Sequence, residues 1–205
     1  KFWDYSEIIG DKGNEIIKKN KVFNKTIFFS DSKLNYAENI LRKKSDDLAI
    51  NFLSEKGFEE NITWNDLYKK VCKFSFYLKK LNLKKGDRVA AYVPNKIESI
   101  ICFLACSKNG IIWSSCSPDF GIQGVVDRFK QIEPKVLITC DYYYYNGKKI
   151  HILGKVDEIL KHIPSIKKVI AYNYNNKEKE NLKDFVDFEE TLKNSLDETF
   201  ERFEF

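Results

Sequence analysis

Apolar positions along the chain fall into short, nearly continuous runs and longer runs with helical spacing, and the two kinds alternate. Leu48 to Leu53 (LAINFL) is short, apolar and partly alternating, which predicts a strand, with Gly57 and its charged neighbours supplying the turn that follows. A helix is predicted next. Thr63 stands three residues before Asp66, a capping pattern that contributes about 1 kcal/mol. Beyond it Trp64, Leu67, Tyr68, Val71, Phe74, Leu78 and Leu81 recur at helical spacing. Gly86-Asp87 ends that unit and launches a strand from Arg88 to Val93.

Asn95, after Pro94, is the expected cap of a second helix with Ile97, Ile100, Ile101, Leu104 and Ala105 on its apolar face and Gly110 as its left-handed terminator. Ile111 to Ser114 is a third predicted strand. Ser117-Pro118 is expected to open a third helix, since the missing proline N–H falls where no helical partner exists and Asp119 sits favourably in the first turn. Its buried stripe is Ile122, Val125, Val126, Phe129 and Ile132, and Pro134 marks its end. Lys135 to Thr139 is a fourth strand. A tyrosine-rich, hairpin-like segment follows Asp141, then a helix from Val156 to His162, a strand from Lys167 to Tyr172, a polar loop around residues 173–181 and a weaker amphipathic stretch from Phe185 to Leu196. Strands alternating with helices of this length imply crossover units, so the fold class is α/β, a mainly parallel sheet with helices on both faces.

Composition narrows the class. A chain of 205 residues that is 43% hydrophobic and 15% aromatic can bury a sizeable core. The net charge of +5 comes from interleaved signs, as in KEKENLKD from Lys177 to Asp184; that is a solvated surface, and no nucleic-acid partner is expected. Membrane helices need about 18 uncharged apolar residues. The best candidate run, Ile97 to Trp113, contains Glu98, Lys108 and Asn109, so no membrane partner is expected either. The five cysteines are odd in number and lie inside apolar runs, which fits reduced thiols in a cytoplasmic protein. The sequence has no methionine, starts at Lys1 and finishes in ERFEF, and is read as a piece of a longer chain.

Most chemical signatures fail. Neither a G-x-G-x-x-G nor a G-x-x-x-x-G-K-[ST] loop occurs among the nine glycines. Cys102 and Cys106 have helical spacing but no second ligand pair, so they are read as core, and no metal site is expected. His151 and His162 have surface or capping contexts. The hydroxyl cluster Ser114-Ser115-Cys116-Ser117 lies at the carboxyl end of a strand, where ligand sites form in parallel sheets, yet no partner base is visible and turn chemistry accounts for it.

The segments LNYAENIL (Leu34 to Leu41), ITWNDLYKKV (Ile62 to Val71), GDRVAAYVPN (Gly86 to Asn95) and above all WSSCSPDFGIQGVVDRFKQIEPKVL (Trp113 to Leu137) resemble, in order and spacing, the acetoacetyl-CoA synthetases of the adenylate-forming superfamily. FWDYSEII (Phe2 to Ile9) is similar to the N-terminal extension of the acetyl- and acetoacetyl-type enzymes. The resemblance implies that residues 1–42 are that extension and 43–205 the first part of the large N-terminal AMP-binding domain, cut before its phosphate loop. It implies a ligase that joins acetoacetate to coenzyme A through an acyl-adenylate, using ATP and Mg²⁺. None of the family's catalytic motifs falls in these residues, so no catalytic residue is assigned and the segment alone is expected to be inactive. The family's R-x-G-R-type contact with the nucleotide end of coenzyme A corresponds to Tyr145-Asn146-Gly147-Lys148: Lys148 keeps a cation for the 3′-phosphate, and Tyr145 offers a ring for adenine where the family has a guanidinium. The alternatives are a non-catalytic binding or assembly module and a ligase for another short acid such as acetate or propionate. The resemblance says nothing about oligomeric state.

Overall fold

In the computed structural model, which describes residues 1–204, the chain runs through α1 (Phe2–Tyr5), β1 (Gly10–Asp11), β2 (Ile17–Lys18), β3 (Ile27–Phe28), β4 (Lys33–Leu34), α2 (Tyr36–Ile40), β5 (Leu48–Leu53) and β6 (Glu59–Thr63). It continues through α3 (Trp64–Lys80), β7 (Arg88–Tyr92), α4 (Ile97–Lys108), β8 (Ile112–Cys116), α5 (Ile122–Ile132) and β9 (Val136–Cys140). The last elements are β10 (Tyr142–Tyr145), β11 (Lys148–His151), α6 (Leu153–His162), β12 (Lys168–Tyr172), β13 (Val186–Asp187) and α7 (Phe188–Thr191).

Five strands form one parallel sheet in the order β13-β12-β9-β7-β8. The chain steps from β7 outward to β8, then crosses back to β9 and continues to β12 and β13. With right-handed crossovers this places α4 on one face and α5 and α6 on the other. Packing groups them the same way: α4 lies against α3 and α2, and α5 against α6. Covered on both faces, β7 and β9 are buried along their length except for Arg88, which is why their sequences read as continuous apolar runs. The α/β expectation is met.

Local signals account for the start of α3 and the end of α4. Thr63 caps α3 by accepting from the Asp66 N–H at 3.1 Å, and Leu67, Val71, Phe74 and Leu78 face the core. Gly110, at φ +66°, takes the left-handed position that ends α4. On α5, Val125 and Phe129 are wholly buried, each contributing about 1.5–3 kcal/mol. Cys102, Cys106 and Cys140 are also wholly buried, as small core residues, and burial pushes their thiols up.

Several expectations are corrected. LAINFL is a strand, but it lies outside the sheet, paired antiparallel with β6, a strand too rich in Glu and Asn to be read in advance. The second helix is capped at Lys96 rather than Asn95, with no side-chain capping bond. The third helix begins after Gly121, because Ser117 to Phe120 forms a separate turn. The helix expected from Val156 begins at Leu153, and the stretch from Phe185 to Leu196 folds only as β13 and the one-turn α7.

A largely buried ionic triad ties the β5–β6 hairpin to the start of α4. The Lys96 ammonium donates to Glu60 Oε2 at 2.6 Å and to both Glu98 oxygens at 2.8 Å, with its side chain 0% exposed. The rings of Phe52, Phe58 and Tyr172 stand 5.8–6.0 Å from the same ammonium, within cation–π range. Burial alone would lower the Lys96 pKa, but Glu98 and Glu60 carry it upward, whereas burial raises that of Glu98 against the pull of Lys96.

Candidate functional site

Numbered by sheet strands alone, the order is 2-1-3-4-5 read from β8, an arrangement whose ligand crevice lies outside the carboxyl ends of the strands where the winding reverses. That reversal lies between β7 and β9. A cavity of about 370 Å³ opens beside it, at the carboxyl ends of β7 and β8, between the segment after β7, the first turns of α4 and strand β10, with no β9 residue in its wall. Val93, Pro94 and Asn95 line it on one side, Ser115 to Asp119 on another, and Tyr143 to Tyr145 on a third.

Aromatic hydroxyls shape its rim. Tyr92 on β7 points its hydroxyl hydrogen between the carbonyls of Pro118 and Phe120, each 2.8 Å away. Tyr143 donates to Asp119 Oδ1 at 2.8 Å, and Ser117 donates to Asp119 Oδ2 at 2.7 Å. These bonds fold Ser117 to Phe120 over the sheet edge and prevent Pro118 from starting a helix. Burial, reinforced by the Asp119 charge, pushes the Tyr92 phenol up to about 12, and burial together with the hydrogen bond to Asp119 raises that of Tyr143. Both phenols therefore serve as neutral donors at physiological pH. Asp119 is the only charged side chain lining the cavity among the described residues, and Phe103 meets Trp113 edge-on at 6.4 Å beside the serines.

The tyrosine-rich segment is a hairpin of β10 and β11 with a two-residue turn, Asn146-Gly147, both residues at positive φ (+49° and +72°). Tyr145 lines the cavity and is 57% exposed, leaving its ring available; Lys148 pairs with it across the turn, exposed, and is not part of the wall. At the root of the hairpin Asp141 is 1% exposed and accepts the Tyr142 and Tyr174 N–H groups on Oδ1 at 2.7 and 2.8 Å, while Oδ2 has no partner. Burial pushes its carboxyl up to about 6. His151 pairs with Glu180 at 3.1 Å and His162 ends α6, so neither enters the cavity.

The hydroxyl cluster proves to be both things: Ser117 makes turn chemistry, and Ser115 and Ser117 line the cavity. Asn95, Asp119 and Tyr143 were not singled out as site residues. The Asn-Gly pair was the one local sign of a tight turn, and the reversal of winding has no local sign at all.

The sequence model of the family described as AMP-binding enzyme matches residues 37–199 of this parallel α/β chain. The chain belongs to that family. Within it, the chain is 38% identical over 177 residues to the acetoacetyl-CoA synthetase of Macaca fascicularis and 39% identical over 170 residues to the acetoacetyl-coenzyme A synthetase of Rhizobium meliloti. These alignments cover 84% and 83% of the chain but 26% of each relative, so the chain spans about a quarter of their length. The solved acetoacetyl-CoA synthetase of Streptomyces lividans superposes with a TM-score of 0.89 at 28% identity, over 98% of this chain and 31% of that one.

Proposed function

We propose that these residues are the front part of an ATP-dependent acid–thiol ligase that joins acetoacetate to coenzyme A through an acyl-adenylate. The observation that carries this is the agreement of sequence and fold with acetoacetyl-CoA synthetases over nearly the whole chain. On this reading residues 1–42 are the N-terminal extension and 43–205 begin the AMP-binding domain. ATP and Mg²⁺ are held by parts of the protein outside these residues, whose own work is to scaffold the domain and receive the nucleotide end of coenzyme A. The cavity fits that task. Its walls are aromatic and hydroxyl-bearing with one carboxylate, suited to a neutral heteroaromatic ring that donates N–H groups, while Lys148, paired with Tyr145 across the turn, suits a phosphate. Among the described residues no helix is long and apolar enough to cross a membrane.

The full-length protein should form acetoacetyl-CoA, AMP and pyrophosphate from acetoacetate, with acetate and propionate poorer substrates; the 205-residue chain alone should form none. Equal or better turnover of acetate would move the assignment to another acid, and turnover by the short chain would refute the division of labour. Lys148→Ala should raise KM for coenzyme A about fivefold with kcat little changed, since one exposed phosphate contact contributes on the order of 1 kcal/mol. An unchanged KM would remove Lys148 from the site.

The non-catalytic module is the second reading. Against it stand the open edge of β8, with Ile112 52% exposed, and the bare Phe23 and Phe28 near the N-terminus, surfaces that further protein would cover.

A further inference from the structure

The two hairpins meet tip to tip. Glu55, in the turn joining β5 to β6, places its carboxylate on the Asn146-Gly147 turn: Oε1 accepts the Asn146 N–H at 3.2 Å and Oε2 the Gly147 N–H at 2.9 Å. Two adjacent backbone N–H groups aimed at one point form an oxyanion receptor. Lys56 brings a cation to the same place, its Nζ 4.0 Å from where a Cβ on Gly147 would stand, and Lys148 follows the turn. Among the described residues neither lysine is ion-paired. The turn thus holds two N–H donors and the Lys56 ammonium around an anion that the chain itself supplies, with Lys148 adjoining in sequence.

We propose that Glu55 is a tethered competitor for a phosphate monoester at this turn. Its carboxylate takes the donors that the terminal phosphate of coenzyme A would use, so the phosphate enters by displacing it. The idea rests on the reading that this turn receives the nucleotide end of coenzyme A. Displacement frees the turn of the β5–β6 hairpin while the Lys96–Glu60 bond, at the second residue pair below that turn, holds the strands, so only the turn residues need shift. Repulsion between Glu55 and the incoming phosphate makes affinity depend on the charge of this residue and favours ligands with enough negative charge to win the exchange.

The test is calorimetric binding of coenzyme A and of 3′-dephospho-coenzyme A to the full-length protein, its Glu55→Gln variant and its Lys148→Ala variant. Glu55→Gln keeps an acceptor for one N–H and loses the charge. It should tighten coenzyme A about threefold to tenfold at low ionic strength, less at high salt, and leave 3′-dephospho-coenzyme A where it was. Unchanged or weaker binding of coenzyme A by Glu55→Gln, with Lys148→Ala still impaired, overturns the competitor and leaves Glu55 as a brace between hairpins. Equal binding of both ligands by the parent and by Lys148→Ala shows that no phosphate is received here, which removes the underlying reading and the competitor together.

Discussion

Lys96→Met is expected to lower the unfolding free energy by about 3–5 kcal/mol, because it leaves the Glu60 and Glu98 carboxylates facing each other without their cation. Glu98 is 3% exposed and Glu60 about a quarter exposed, so water cannot replace the ammonium at either one fully. Whole domains are stable by only about 5–15 kcal/mol, so a loss of this size moves the chain near its folding limit. The asymmetry of the triad gives an internal control. Glu98→Gln leaves Lys96 paired one-to-one with Glu60 and should be milder, while converting all three together to Met, Gln and Gln should recover much of the loss, since no buried charge then remains. Urea unfolding followed by tryptophan fluorescence would give the order; a Lys96→Met loss below 1 kcal/mol would mean that solvent reaches the triad.

A second large effect depends on pH. Burial pushes the Asp141 carboxyl up to about 6 from its ordinary value of 3.8, a difference on the order of 3 kcal/mol. Because the folded state holds this proton more tightly, the stabilisation is complete below the unfolded value and is lost as pH rises through about 6. Above that pH the fold carries a buried carboxylate with one oxygen unpartnered. Asp141→Asn retains the acceptor for the Tyr142 and Tyr174 N–H groups and removes the charge, so it should stabilise the protein at pH 7.5 and lose most of that advantage by pH 4.5. Other carboxylates, Asp87 and Asp197 among them, are held low by their lysine partners and act in the opposite direction at acid pH. The quantity to follow is therefore the difference between variant and parent. A difference that stays flat between those pH values would show that Asp141 is ordinarily solvated.

These two groups also mark where the sequence stops being readable. Helix α3 was legible because its cap and its stripe are local, and so was the glycine that ends α4. The parallel strands were legible as apolar runs, because burial on both faces leaves little room for polar residues. Lys96, Glu98 and Glu60 gave no sign of their meeting, since Glu60 lies 36 residues from Lys96 and nothing local announces it. Ser117-Pro118-Asp119 carries every sign of a helix start, yet the hydroxyls of Tyr92 and Tyr143, about 25 residues away on either side, hold it as a turn. The cavity is legible only in fragments. Tyr145 and the serines at the end of β8 stood out, but the remaining wall depends on which strands neighbour each other, and strand order is a long-range property.

The Asn146-Gly147 turn also bears on the shelf life of the purified protein. An unhindered glycine nitrogen next to an asparagine is the backbone's best nucleophile for the side-chain amide; ring closure there expels ammonia to give a succinimide, which water opens to aspartate or isoaspartate. The nitrogen that would attack is the one whose hydrogen Glu55 holds at 2.9 Å, so the carboxylate that occupies the turn also sets the rate of deamidation. Each event installs a second carboxylate between Glu55 and Lys148, and an old preparation would differ from a fresh one in charge at the point where an incoming phosphate first meets the chain.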